Sequence, residues 1–133
     1  MKRIFLLLTA MVLAFTLTAC QGKIEDVRVD IGPSEIYSEE EIDDAVYEIL
    51  TYFRREFGGC SLTRLEYIES KSADAAAEWA KQYDADQAIV LVSTFEVTGK
   101  TDGSLAYGET YQNWQWILVR NNSGKWQVKT CGY

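Results

Sequence analysis

The chain has no histidine, one proline, two methionines, three cysteines and nine glycines in 133 residues. Without histidine, Ser-His-Asp and Cys-His catalytic arrangements are excluded, as are the usual zinc and haem ligand sets. So little proline and glycine excludes collagen-like and Pro/Gly-rich disordered chains. Basic residues are scarce as well: 13 Lys and Arg against 20 Asp and Glu give a net charge of −7. Nucleic-acid affinity rests on Lys and Arg neutralising phosphates, so no nucleic-acid partner is expected. No metal or cofactor site is expected either. What the chain does have is 47% hydrophobic and 13% aromatic residues, enough to bury the core of one domain.

The N-terminus reads as an address. Lys2 and Arg3 precede an uncharged run from Ile4 to Ala19. The run is shorter than the about 20 residues of a spanning helix and has the length and flanks of a secretory signal peptide. It ends in Leu17-Thr18-Ala19-Cys20, and small residues before a cysteine resemble a bacterial lipobox. That resemblance implies cleavage before Cys20 and a diacylglyceryl group on its sulfur. Residues 1–19 are then a lipoprotein signal peptide, 20–37 the lipidated cysteine and a tether, and 38–133 a single α+β domain. Two acyl chains hold a domain on a membrane where one does not, at about 0.8 kcal/mol per buried CH₂. The alternative is a secreted protein with a cysteine at its cleavage site. Gln21 is not the aspartate that would favour inner-membrane retention in a Gram-negative cell. In a Gram-positive cell the address is the outer face of the cytoplasmic membrane.

Beyond the leader, Gln21–Tyr37 is polar and acidic, broken by Gly32-Pro33. Val27, Val29 and Ile31 alternate with Arg28 and Asp30, so an edge strand is possible there; an unpaired tether is the preferred reading. Ser38 and Glu41 form a capping box, with Tyr37 and Ile42 as a hydrophobic staple, and open a helix running to Phe57. Its stripe is Ile42, Ala45, Val46, Ile49, Leu50, Phe53 and Phe57, and Gly58-Gly59 ends it. Ser61–Glu69 reads as a strand with Thr63, Leu65 and Tyr67 opposite Leu62, Arg64, Glu66 and Ile68. A second helix, Ala73–Tyr83, is expected with Ser72 as its cap and Ala75, Ala76, Trp79, Ala80 and Tyr83 facing inward. Asp86–Thr98, with its run Ile89-Val90-Leu91-Val92, reads as a central strand covered on both faces. After a loop at Gly99–Glu109, Thr110–Arg120 and Lys125–Gly132 form a hairpin around Asn121-Asn122-Ser123-Gly124.

The expected architecture is a helix packed on a curved, mainly antiparallel four-stranded sheet, in the order α-β-α-β-β-β. Several segments carry a family resemblance: Ser38-Glu39-Glu40-Glu41-Ile42, Gly59-Cys60-Ser61-Leu62-Thr63, Glu78-Trp79-Ala80, and above all Asn113–Arg120 through Gly124-Lys125-Trp126 and Gly132-Tyr133. They resemble small uncharacterised lipoproteins of Clostridia-type Firmicutes that carry a domain of unknown function. The resemblance implies a cystatin-like or NTF2-like fold, lipid anchoring and a Gram-positive cell. It implies no catalytic residues.

With Cys20 lipidated, Cys60 and Cys131 could form one extracytoplasmic disulfide, worth about 4 kcal/mol in chain-entropy terms. This requires the first and last strands of the expected sheet to be suitable neighbours; two half-buried thiols are the alternative. NTF2-like domains often enclose a cone, where Glu66, Glu96 or Asp86, with Tyr67 nearby, could supply a buried base. Asp102-Gly103-Ser104 reads as a turn, lacking the spaced acids of a calcium loop. Tyr107, Tyr111 and Trp114 border the polar loop and form the candidate binding rim. The acidic surface favours a cationic or neutral partner, such as a basic protein patch or a neutral glycan. The functional expectation is a membrane-anchored extracytoplasmic binding or interaction module without catalysis. Its alternatives are a small NTF2-like enzyme using a buried carboxylate and an inhibitor or immunity-type lipoprotein.

Overall fold

The computed structural model describes residues 21–101 and 103–133; the leader, Cys20 and Asp102 lie outside the described residues. The chain is α+β, in the order β1 (Arg28–Ile31), α1 (Glu39–Glu56), β2 (Cys60–Tyr67), α2 (Glu69–Gln82), β3 (Gln87–Val97), β4 (Thr110–Arg120) and β5 (Gln127–Gly132). The five strands form one sheet in sequential order. β1 runs parallel to β2 and every other neighbouring pair is antiparallel. The expected four strands are therefore five. The addition comes from the segment read as a tether: α1 serves as the crossover that a parallel β1–β2 pair requires.

α1 starts where its end chemistry dictates. The Ser38 hydroxyl accepts from the Glu41 amide at 3.1 Å and a Glu41 carboxylate oxygen accepts from the Ser38 amide at 3.0 Å. Two otherwise orphaned donors are thereby satisfied. Ile42, Ala45, Val46, Ile49 and Phe53 are buried, with Leu50 and Phe57 partly so, giving the stripe expected from the spacing. It packs on Leu62, Leu65, Tyr67, Ile89, Leu91, Phe95, Trp116 and Leu118 of the sheet.

The opposite face of the sheet holds a smaller layer. Ala88 and Val90 lie across from Val119 and Ile117, and all four are buried. α2 packs along β3 and reaches β4, with Ala75, Ala76, Trp79, Ala80 and Tyr83 half-buried. It begins before Ser72. That side chain is not a cap: it is buried inside the helix and accepts the Val90 amide at 3.0 Å. The donor is one that β2, ending at Tyr67, does not reach.

Three bulges curve the sheet round α1. Leu62 pairs with Phe95 and Arg64 with Thr94, leaving Thr63 extra. This puts Leu62 and Leu65 in the same core, correcting the strict alternation that separated them. On β4 the extra residue lies between Trp114 and Tyr111, where Asn113 takes φ 58. On β5 it is Lys129.

The register gives the molecule two ends. The start of β2, end of β3, start of β4, end of β5 and C-terminus of α1 share a lower end. The N-terminus of α1 and the β4–β5 turn lie at the upper end.

Candidate functional site

A cleft of about 990 Å³ opens at the lower end. Its walls are residues 55–60 at the end of α1, residues 98–101 with Gly103 and Leu105 after β3, and Gln21 with Lys23. Close backbone approaches join these three pieces. The Gly22 amide donates to the Arg54 carbonyl at 2.9 Å, satisfying one of the acceptors a helix end leaves open. A Cβ on Gly22 would stand 2.4 Å from the Phe53 carbonyl oxygen, so only glycine fits. Next along, the Lys23 amide donates to the Cys60 carbonyl and its own carbonyl accepts from Leu62, both at 2.9 Å. Gly59 has φ +84 and packs under the Lys100 backbone; its carbonyl accepts from Thr98 and Gly99.

Among the described residues, Lys23, Arg55 and Lys100 line the cleft with one carboxylate, Glu56, which pairs with Arg55 at 2.9 Å. That described lining carries more base than acid in a chain of net charge −7. Cys60 sits at the back, where burial raises its thiol above the usual range, so it is no thiolate nucleophile at neutral pH.

The aromatics of the expected rim stand beside the cleft and divide by role. Tyr107 is 77% exposed and free to contact a partner. Tyr111 stacks on Phe95 at 5.1 Å and its hydroxyl accepts from the Ala106 amide, so it also holds the loop. Trp114 packs edge-on against Phe95 at 5.2 Å and Tyr133 at 5.3 Å. Both Tyr111 and Trp114 are half-buried and continuous with the core. Leu105 is the loop residue that joins them to the cleft. Trp126, at the upper end, and Trp116 are buried, and the Trp116 indole donates to Ser93 at 2.8 Å.

Cys60 and Cys131 are free. β3 and β4 separate their strands, a gap of about 14 Å at normal strand spacing, twice the reach of a disulfide. The bridge left open by the sequence does not form. Burial also raises the Cys131 thiol, offsetting the Trp114 indole, which favours the thiolate.

The carboxylates considered for a buried base lie elsewhere. Glu96 and Asp86 are exposed, and Glu66 pairs with Arg64 at 3.2 Å. Tyr67 is buried and its hydroxyl donates to Glu69 at 3.1 Å; burial raises its pKa. Among the described residues no cluster of three His, Cys, Asp or Glu side chains could hold a metal, and no helix is long and apolar enough to cross a membrane. Gly103 and Ser104 are exposed in the loop. Asp102 lies outside the described residues, as does the lipidation candidate Cys20.

The Gly99–Glu109 loop, where the sequence puts the groove of a binding module, is one wall of the cleft; the other walls come from distant segments that sequence reading did not bring together. Comparison with protein-family models, curated proteins and solved structures finds no match to this chain.

Proposed function

We propose that the protein is a lipid-anchored extracytoplasmic binding module, held through Cys20 on the outer face of a Gram-positive membrane. Its ligand enters the cleft at the lower end. A helix packed on a mixed five-stranded sheet supports the cystatin-like or NTF2-like plan implied by the resemblance to small Firmicutes lipoproteins, with one strand more than that reading gave. The observation carrying the reading is the cleft: about 990 Å³, walled by a loop, and lined among the described residues by more base than acid, against the charge of the whole chain. Loops set on a rigid sheet are where binding concentrates.

The test is purification from membranes with the anchor intact, followed by mass spectrometry of what remains bound. Gly103→Trp is the control, because nothing lies within 4 Å of the added Cβ and it sets an indole in the cleft wall. A small molecule or lipid retained by the parent and lost from an equally stable Gly103→Trp variant supports the cleft. Retention unchanged by the variant overturns it.

A further inference from the structure

The chain is already bound into the fold two residues after Cys20. Gly22 and Lys23 are fixed by three backbone hydrogen bonds of 2.9 Å, leaving Gln21 as the spacer. Two residues reach about 7 Å. An acyl anchor on Cys20 would therefore emerge at the lower end itself, not from a swinging tether.

That end has the composition of a membrane interface. Tyr107 and Tyr133 are 77% and 78% exposed, Trp114 and Tyr111 are half-buried beside them, and Lys23, Arg54, Arg55 and Lys100 are exposed. Tyrosine and tryptophan settle at headgroup level, and long basic side chains can keep their charge in that layer. Against these four bases the lower end carries Glu25, Asp26, Glu56, Glu96 and Glu109, with Asp102 in the same loop sequence, so it is weakly acidic. The strong excess of acid is at the upper end, where Glu39, Glu40, Glu41, Asp43 and Asp44 open α1. α1 has 18 residues and separates the two ends by about 27 Å. On an anionic surface, the stronger repulsion of the upper end turns the lower end, with its basic and aromatic side chains, toward the membrane.

We propose that the lower end is a membrane-resting face, with Lys23, Lys100 and Tyr107 seated in the headgroup layer and the cleft open to anionic phospholipid headgroups. This rests on the lipoprotein reading and names the source of the cleft's ligand: the bilayer that holds the anchor.

The experiment uses the full chain with a Gly/Ser linker of about 20 residues, carrying a protease site, inserted between Cys20 and Gln21. Such a linker is a flexible coil, so the anchor no longer forces contact. Incorporation of labelled palmitate at Cys20 is read first. The protein is then placed in phosphatidylglycerol–phosphatidylcholine vesicles and treated with a membrane-impermeant acylating reagent, before and after protease release. The expected result is that Lys23 and Lys100 react about fivefold more slowly on the vesicle than after release, the change that one basic residue's attraction to an anionic surface gives. Lys81 and Lys125 change little. Tyr107→Ser with Lys100→Glu should abolish the protection of Lys23. Palmitate incorporation with equal rates at all four lysines overturns the face while leaving anchoring intact. Absence of palmitate removes the reading on which the face rests.

Discussion

Glu41 and Arg120 join the start of α1 to the end of β4 through one carboxylate with two tasks. One Glu41 oxygen closes the helix cap on the Ser38 amide, and the other accepts from the Arg120 guanidinium. Arg120 is 8% exposed. It also donates to Gln87 at 2.8 Å and lies 4.3 Å over the Trp126 ring, with Tyr37 at 5.6 Å. The Trp126 indole in turn donates to the Glu41 carbonyl at 3.0 Å. Removing Arg120 uncovers all these partners; Glu41→Gln keeps one acceptor oxygen for two donors and removes the counter-charge of Arg120. Arg120→Ala should cost about 3 kcal/mol, the low end for breaking a buried pair, because Glu41 is partly exposed. Glu41→Gln should cost about 2 kcal/mol, the range of one hydrogen bond to a charged group. Urea midpoints check the ranking, and equal losses would show that Glu41 alone carries the joint.

Stability should fall on acidification through two carboxylates. The Ser38 amide and then Arg120 hold Glu41 below its usual range. Glu69 is lowered by the Ser34 hydroxyl and then the Glu35 amide. Both folded pKa values lie below the unfolded ones, so their stabilisation is complete above the ordinary carboxylate range and lost as pH falls below that range through the folded values. Melting temperature measured down that range should drop less steeply in the Glu41→Gln/Glu69→Gln double variant. Parallel curves would assign the acid sensitivity to other groups.

The two thiols should remain unpaired under oxidising conditions. In denaturant both Cys60 and Cys131 should alkylate. In the native protein at neutral pH both should react slowly, because burial keeps them protonated. Recovery of a linked Cys60–Cys131 peptide from non-reduced protein would contradict the strand order.

Gly22→Ala should loosen the segment before β1 without unfolding the sheet. The new Cβ meets the Phe53 carbonyl oxygen at 2.4 Å and the Phe57 carbonyl oxygen at 2.9 Å, so the segment must lift from α1. A loss of about 2 kcal/mol is expected. Hydrogen exchange should quicken at Lys23 and Leu62, whose amides this pairing protects. Unchanged exchange at both positions would mean that the segment is held without the close approach.

Much of the fold was legible where local chemistry decides it: the Ser38–Glu41 box, the α1 stripe, the inward alanines of α2 and the apolar run of β3. β1 was not, because four residues alternating charge and aliphatics become a strand only through a partner 36 positions away, as in Arg28 with Arg64. The start of α2 was missed because Ser72, which looks like a cap, is used by Val90. The bulge at Thr63 hid the shared face of Leu62 and Leu65, because period two assumes an unbroken ladder. Of the site, the loop was legible and its opposing walls were not. The candidate rim resolved into one exposed ring, Tyr107, and two that also pack, because stacking partners such as Phe95 and Tyr133 are set by register.

The same interruptions that bend the sheet also guard its margins. An open sheet ends in two strands with unsatisfied backbone groups, a template on which another copy could add. Here one margin is a four-residue strand in which Asp30 pairs with Arg28 at 3.2 Å and with Arg64 of the next strand at 3.2 Å. The other is broken by the extra residue at Lys129. Neither presents a long, flat, neutral ladder. Copies crowded side by side at high local density would find no straight seam along which to zip into a continuous ribbon.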